Sequence, residues 1–467
     1  KPIREAFGED GEEAFRAREA EVVGSLLERA DGGAIALGGG SVLSERIRAA
    51  LDRHVVVWLE VDSNEAWRRI ANSDRPLATS REDVERLLAE RLPLYEELAD
   101  AVVPMADRDV VARALPAIQS LADPQKAKLL WATSRSGDYP VYVGFGALYR
   151  TLRYWPLGGR RFCITDRHIA RVLEEKIPAS EMQIEIEPGE LSKTLEEVEQ
   201  IMVAWAEAGM TREDHVVAVG GGVVGDLAGF CAHVYQRGVP VVHVPTSLVA
   251  QVDSAYGGKT GVDLEGAKNY VGAYHMPAEV ITDTAMLQTL PALELASGFV
   301  EVLKTALLAG GSFWERVRNL KTLDPYELDD VVFACARYKC GIVAADERDG
   351  GLRHVLNLGH TVGHAIETAS AYEYRHGEAI GLGLLAALKL SDADELEAEV
   401  REILEIHALP TQLNSDIRVE EVLEILQRDK KRTAAGVGFV LLSEPGQPRT
   451  GQLVDPAKVR AAVEELY

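Results

Sequence analysis

Short apolar runs rich in valine, isoleucine and aromatic residues alternate with stretches of helical period along much of the chain. Residues 139–143, 161–165, 215–219 and 239–244 are such runs, each closed by turn formers, and they predict buried strands. Residues 195–208, between two of them, carry apolar positions at helical spacing and predict a helix. That rhythm predicts a mostly parallel α/β sheet. Residues 34–37 and 55–61 predict two further strands near the start, with helical patterns between and after them. From residue 296 the pattern is mostly helical, and residues 298–305 form an amphipathic opening segment.

Turn formers break the pattern at residues 120–124 and again at 134–138. The predicted organisation is an α/β domain over residues 1–122, a linker over 123–133, an α/β domain over 134–295 and a mainly α-helical domain over 296–467. A length of 467 residues suits two or three domains, and 47% hydrophobic residues give each a normal core. The net charge of −24 argues against a nucleic-acid partner, although Lys and Arg gathered in a pocket can still hold a small anion. No apolar run approaches the roughly 18 residues of a membrane span, so no membrane partner is expected. Cys163, Cys231, Cys335 and Cys340 form no C-x-x-C pair and read as buried small hydrophobes in a reducing cytoplasm. The chain opens at Lys1 rather than Met, within what reads as folded sequence, so a segment upstream is expected.

Candidate chemistry concentrates in Arg353-His-Val-Leu-Asn357-Leu-Gly-His360-Thr-Val-Gly-His364-Ala-Ile-Glu367 and the following His376-Gly-Glu378. His360 and His364 stand four apart in a helical segment, so they share one face about a turn apart. They read either as a ligand pair for zinc, cobalt or iron or as a buried polar pair, with a third ligand available from His376 or a distant carboxylate. Thr361 follows His360 where an H-E-x-x-H protease needs its glutamate, which excludes that chemistry.

Gly220-Gly221-Gly222, with Gly225, Asp226 and Gly229, opens a helix after a strand and reads as a pyrophosphate cradle or a structural turn. It is not the strict G-x-G-x-x-G fingerprint. Thr246 and Ser247 close the next strand, where a ligand lies against a parallel sheet. Asp253, Lys259, Lys268 and Asn269 fall in glycine-loosened loops, either solvated or poised for anion binding and proton transfer. Glu301 and Lys304, three apart in an apolar helix, suggest a metal ligand beside an anion contact. The run Asp429-Lys430-Lys431-Arg432 reads by itself as an exposed turn, and Gly38-Gly39-Gly40 as an anion-approaching or merely tight turn.

Phe15-Arg16-x-x-Glu19, Gly38-Gly39-Gly40, Arg75-Pro76-Leu77 and Arg91-x-Pro-Leu-Tyr95 resemble the later part of shikimate kinase. The resemblance implies that Arg16, the three glycines and Arg91 hold shikimate and that Arg75 sits on the lid over ATP. The family's phosphate loop, G-x-x-x-x-G-K-[ST], does not occur here, so kinase activity is not expected from this chain. A full-length protein with both activities is.

The ordered series Gly220 to Asp226, Arg237-Gly238, Pro245-Thr246-Ser247, Asp253 to Lys259, Lys268-Asn269, Glu301-x-x-Lys304, Asn357-x-x-His360-x-x-x-His364 and His376-Gly-Glu378 resembles 3-dehydroquinate synthase. The resemblance implies Glu301, His360 and His376 as ligands of zinc or cobalt, and Lys259, His364, Asp253 and Asp349 as catalytic residues. It implies Arg237, Lys259, Lys268, Asn269, Lys304, Lys339, Arg353, Asn357, His364 and Lys431 around the substrate. For NAD it implies Asp166, Glu190, Lys193, Gly221, Gly222, Asp226, Thr246 and Ser247, with Thr289 and Leu290 near the ring. Asp349 stands where the family has glutamate, one methylene shorter in reach.

The implied reaction converts 3-deoxy-arabino-heptulosonate 7-phosphate to 3-dehydroquinate and phosphate, with NAD oxidising and then re-reducing the substrate within each turnover. A homodimer is also implied. The rival readings are another sugar-phosphate cyclase, a metal-dependent polyol dehydrogenase with net NADH production, and an inactive scaffold.

Overall fold

A computed structural model describes residues 3–71, 77, 79–121, 127–151, 155, 157–265, 267–428, 432–433 and 436–467. The chain divides into two compact units, Lys1–Trp131 and Ala132–Tyr467. Among the described residues no helix is long and apolar enough to cross a membrane.

In the first unit, β1 (Val57–Glu60), β2 (Ala101–Pro104) and β3 (Lys128–Ala132) pair in parallel, with Val57 opposite Ala101 and Ala101 opposite Leu129. Helix Arg81–Leu98 links β1 to β2 after the shorter helix Ser63–Ile70. Its start is set by a capping box, because Ser80 Oγ accepts from Asp83 N while the Asp83 carboxylate accepts from Ser80 N. Residues 34–37, expected as a strand, have no ladder partner among the described residues. Ile35 and Leu37 instead pack beside Leu27, Ile47 and Leu51, so the apolar run is spent on a helix-lined core.

The second unit holds β4 (Tyr139–Val143), β5 (Arg161–Asp166), β6 (Met182–Ile186), β7 (His215–Gly220), β8 (Val241–Pro245), β9 (Lys259–Leu264), β10 (Ala267–Tyr274) and β11 (Glu279–Thr282). All but β9 and β10 form a parallel layer in the order β4-β11-β8-β7-β5-β6. β7 and β8 are buried along their whole length, as expected of strands covered on both faces. Helices Leu195–Glu207 and Gly222–Val234 cover this layer, and Trp205, Phe162, Ile164, Val216 and Leu227 meet in one core. β9 and β10, expected as loops, pair as an antiparallel hairpin on the second of these helices. The close approach needs Gly229, since a Cβ there would lie 2.4 Å from Thr260 Cγ2.

Beyond the sheet the chain is mainly helical, with Ala292–Ala309, Asp329–Ala345, His360–Ala369 and His376–Leu390 carrying most of the polar groups discussed below. The fold is therefore α/β with a helical C-terminal layer. A short antiparallel sheet of β12 (Arg432–Thr433), β13 (Gly436–Leu442) and β14 (Pro448–Leu453) interrupts the helices. Its glycines, proline and polar residues blur the alternation that would have announced it.

Candidate active site

The carboxyl ends of the parallel strands carry one group of candidate residues. Asp166, at the end of β5, caps the next helix by accepting from Ile169 N at 2.8 Å. β7 ends at Gly220 and the helix begins at Gly222, so backbone amides of its first turn point out of the sheet edge. Cβ atoms at Gly221 and Gly222 would lie 3.3 Å from Ser247 Oγ and from Ser254 Oγ, leaving little room for any side chain. Thr246 is buried behind β8, and its N donates to Gly220 O at 3.0 Å. Thr289 ends a 3-10 turn after β11, bonding Met286 O at 3.2 Å, and Leu290 follows.

Lys193 joins this edge to the hairpin. Its ammonium lies 2.9 Å from Asp226 Oδ2, 3.3 Å from Glu190 Oε1 and 2.7 Å from Asn269 Oδ1, so three oxygens match its three donors. Burial opposes the charge, but Asp226 and Glu190 outweigh it and raise the Lys193 pKa. Asn269 adopts a left-handed φ of 52°, a conformation asparagine tolerates better than most residues, and its N donates to Asp263 Oδ1.

A second group of cations is buried where the helices meet the sheet edge. Asp253 sits on a π-helical turn, Ala250–Ser254, a local widening common at functional sites. Lys339 Nζ lies 2.7 Å from Asp253 Oδ1 and 2.6 Å from its carbonyl oxygen. Burial pushes the Asp253 carboxyl up, but Lys339 and Lys304 hold it below its ordinary value. Arg353 is 3% exposed and donates to Gly257 O and Glu347 O, so its guanidinium is anchored by carbonyls without a neutralising acid in those bonds. Lys259 Nζ is 2.5 Å from Asp349 Oδ2, half exposed and aimed at a residue in the left-handed region (φ 61°). Asn357 donates to His354 O at 3.1 Å.

The third group is a cluster of imidazoles around one carboxylate. Glu301, on Ala292–Ala309, His360, opening His360–Ala369, and His376, opening His376–Leu390, present ligand atoms that all lie within 4.8 Å of one another. Glu301 Oε1 is 3.5 Å from His360 Nε2 and 3.3 Å from His376 Nε2. His360 Nδ1 lies 3.1 Å from Leu358 O, which assigns its proton to Nδ1 and leaves a lone pair on Nε2 facing the carboxylate. Burial and Lys304 press the His360 pKa well down, so the ring is neutral. Burial pushes Glu301 up, yet Lys304 and the imidazoles hold it well below the usual carboxylate range. A lone pair and an anionic oxygen facing each other across this gap repel unless a cation lies between them. The donor set therefore fits a divalent metal. His364 is exposed, its ring 5.1 Å from that of His360 and 6.0 Å from that of His376, beside the three rather than among them.

Close packing holds these helices together. A Cβ at Gly377 would lie 1.8 Å from Ser297 O, and one at Gly383 would lie 2.0 Å from Gly359 O. Arg237 is the exception among the described candidates. It is exposed beyond the far end of Gly222–Val234, a helix that carries the chain about 18 Å from the glycine turn. Lys431 lies outside the described residues.

In the first unit, Arg16 pairs with Glu19 at 2.6 Å, and Ser41 Oγ donates to the same carboxylate. A Cβ at Gly39 would be 3.5 Å from Arg91 Nη1, and one at Gly40 would be 2.5 Å from Arg16 Nη1. Gly39 and Gly40 thus meet the two guanidinium groups, while Gly38 lies against Glu19 and Ser41. Tyr95 Oη, which donates to Gly39 O at 2.6 Å, fixes the turn. Arg75 lies outside the described residues.

Glu367 escaped the sequence reading as a site residue. Its Oε2 is 3.6 Å from His376 Nδ1 and its Oε1 is 3.3 Å from Lys268 Nζ. Burial pushes this carboxyl up, but His376 and Lys268 bring it down to about 2. The signal was its spacing, three beyond His364 and seven beyond His360 on one helical face.

Among solved structures, 2-deoxy-scyllo-inosose synthase complexed with carbaglucose-6-phosphate, NAD+ and Co2+ superposes with a TM-score of 0.65 at 25% identity, covering 73% of this chain and 100% of that one. The 2-epi-5-epi-valiolone synthase of Streptomyces hygroscopicus, at 24% identity and a TM-score of 0.62 over 72% of this chain and 98% of its own, shares the fold. The second unit thus has the fold of these two synthases.

The family models then distinguish the member. The N-terminal model of 3-dehydroquinate synthase matches residues 183–297, the C-terminal model matches 298–432, and the shikimate kinase model matches 1–121. The 3-dehydroquinate synthase of Symbiobacterium thermophilum is 38% identical over 351 residues, 70% of this chain and 98% of that protein. That of Halorhodospira halophila is 39% identical over 352 residues, 72% of this chain and 99% of that protein. The chain belongs to the 3-dehydroquinate synthase family and carries a shikimate kinase domain ahead of the synthase.

Proposed function

We propose that the second unit converts 3-deoxy-arabino-heptulosonate 7-phosphate to 3-dehydroquinate and phosphate. The observation that carries this reading is the meeting of the Glu301, His360 and His376 donor set with the buried cations Lys304, Lys339 and Arg353. A doubly charged phosphate plus a carboxylate demands such convergence, which the acidic exterior alone would oppose. A net hydride product demands no such surplus, so a polyol dehydrogenase fits the site less well. Strong similarity to synthases across nearly their whole length also favours this substrate over those of other cyclases.

Glu301, His360 and His376 would hold zinc or cobalt, and Asp166, Glu190, Lys193, Gly221, Gly222, Asp226, Thr246, Ser247, Thr289 and Leu290 would surround NAD. When bound, the metal lowers the pKa of a substrate hydroxyl, and NAD accepts a hydride and returns it. The chain's own residues supply the rest. Burial opposes the charge on Lys304, but Glu301 and Asp253 sustain it. Burial draws the Lys339 pKa down although Asp253 supports its charge, and Arg353 is preorganised by carbonyl contacts before any ligand arrives. Lys259 is half exposed and its Asp349 partner can release it toward an incoming anion, while Asn269, Lys268, Asn357 and His364 would line the approach. Asp349, Asp253, Lys259 and His364 would hold or move protons.

Arg16, Arg91 and the turn at Gly38, Gly39 and Gly40 form a carboxylate cradle in the first unit, suited to shikimate. Residues 1–122 contain no G-x-x-x-x-G-K-[ST], so this chain is read as binding there without phosphoryl transfer. Four free, buried cysteines support a cytoplasmic location. A homodimer is the expected assembly, checked by light scattering.

The deciding experiment follows phosphate release from the heptulosonate phosphate with NAD+, after chelation and after zinc or cobalt is restored, while absorbance near 340 nm is recorded. Metal-dependent phosphate release without lasting NADH is the expected result. Accumulating NADH would point to a dehydrogenase, and no phosphate release from metal-loaded protein would overturn the synthase reading.

A further inference from the structure

Glu367 touches the histidine cluster from outside the set that would hold a metal. Its helix, His360–Ala369, also carries His360 and His364, and the side chain is only 13% exposed. His376 is approached from both ends: Nε2 faces Glu301 Oε1 at 3.3 Å, and Nδ1 faces Glu367 Oε2 at 3.6 Å. A neutral imidazole has one proton, so the nitrogen that donates decides which nitrogen keeps a lone pair. Glu367 is itself secured, because Lys268 Nζ lies 3.3 Å from Oε1 and also sits 4.0 Å from the centre of the Tyr372 ring. Each oxygen of Glu367 thus meets one partner, one from the hairpin and one from the helical layer.

We propose that Glu367 is a positioning residue whose carboxylate accepts from Nδ1–H of His376, keeping the proton on Nδ1 and so fixing the tautomer whose Nε2 lone pair faces Glu301 and His360, while Lys268 holds the carboxylate in that orientation. The inference rests on the metal-site reading above and deepens it. A competing role exists, since His364, Glu367 and His376 also present ligand atoms within 4.8 Å of one another. Lys268 decides against it. Its ammonium already occupies the cationic position beside Glu367, and a second ion there would face that charge across a short, half-buried gap.

The test strips the full chain with a chelator and titrates zinc against a chromophoric competitor, reading affinity and stoichiometry apart from turnover. Wild type is expected to bind one zinc per chain. Glu367→Ala should keep that stoichiometry with affinity weakened about 10- to 100-fold, the usual effect of losing an outer partner of a ligating histidine. Glu367→Gln, still able to accept from Nδ1–H, should recover most of the loss. Saturating zinc should bring kcat of the alanine variant back to within a few-fold of wild type.

Lys268→Met alters a partly exposed side chain and so spares the fold if Glu367→Ala does not. It should weaken zinc several-fold. Zinc affinity within about twofold of wild type in folded Glu367→Ala, or in Lys268→Met should the alanine variant not fold, would overturn the proposal, since loss of the direct partner of His376 is worth about tenfold or more and loss of its lysine several-fold. Two zinc ions in wild type and one in Glu367→Ala would make Glu367 a ligand and equally overturn it. Wild type that binds no zinc would instead sink the metal-site reading on which the proposal stands.

Discussion

Oε2 of Glu301 lies 2.5 Å from the ammonium of Lys304, three residues along the same helix, and both side chains are only 2% exposed. The other oxygen of that carboxylate faces His360 and His376. One buried anion therefore serves both a fixed cation and the proposed metal position. Lys304→Met would leave Oε2 of Glu301 charged and without its cation in a dry setting, and breaking a buried pair in this way typically costs about 3–5 kcal/mol. The variant should melt well below wild type after chelation. Zinc or cobalt should raise its Tm by more than it raises that of wild type, because the metal then replaces the counter-charge that Lys304 supplied. Thermal melts with and without chelator check this, and equal metal-induced shifts would show that Lys304 does not share the charge of Glu301.

Gly377 precedes no ligand and carries no chemistry, yet it sets the distance between two of them. Its N donates to Ser297 Oγ at 3.0 Å, and an added Cβ would overlap Ser297 O at 1.8 Å. Backbone cannot rotate out of the way as a side chain can. Gly377→Ala must push His376–Leu390 away from Ala292–Ala309, drawing His376 from Glu301. Overpacking of this kind costs about 1–3 kcal/mol or more. The expected outcome is a lower Tm together with a loss of zinc affinity, and a variant with normal zinc affinity would show that the helices can yield elsewhere.

Much of the parallel sheet was legible because its strands are short, apolar and bounded by glycine or proline. Tyr139–Val143 was read with its true limits, and the runs at 161–165, 215–219 and 239–244 were within two residues of β5, β7 and β8. Helix Leu195–Glu207 was read one residue long. The hairpin of β9 and β10 was not legible, since Gly257, Gly258, Gly261 and Gly272 look like loosened loop where they in fact permit close packing. Residues 34–37 failed for the opposite reason: an apolar run announces burial, but strand pairing depends on a neighbour that local pattern does not reveal.

The site divides in the same way. Helical spacing could place His360 and His364 on one face, but it could not choose between His364 and His376 beside Glu301. That choice depends on how three helices pack, through glycines at 359, 363, 377 and 383. Resemblance named the set, and spacing alone left it open.

Lys193 and Asp226 offer a test at the sheet edge, away from the imidazoles. With Asp226→Asn the ammonium keeps Glu190 and Asn269 but loses its 2.9 Å charged partner. Loss of one charge-assisted hydrogen bond is worth about 1.5–3 kcal/mol. If this cluster shapes the dinucleotide pocket, the dissociation constant for NAD should rise about 10- to 100-fold. Zinc affinity should stay unchanged, because Asp226 belongs to the glycine turn. Isothermal titration with each ligand separates the two effects, and a parallel loss of zinc affinity would mean that the change spreads through the hairpin.

Glu279 sits at the start of β11, 1% exposed, with Oε2 buried and bonded to nothing among the described residues. Burial alone pushes its carboxyl up from 4.5 to about 8. Because the folded-state value lies above the unfolded one, the favourable protonated form contributes fully below pH 4.5. That contribution is lost as pH rises through about 8. Glu279→Gln keeps the shape and cannot ionise, so every other titrating group cancels in the comparison. Wild type should therefore lose stability relative to the variant between about pH 5 and about pH 8.5, opening a gap of a few degrees in Tm. Melting curves of both proteins across that range decide the matter: parallel profiles would mean that the carboxylate gains a partner on ionising, most simply by local opening at the end of β11.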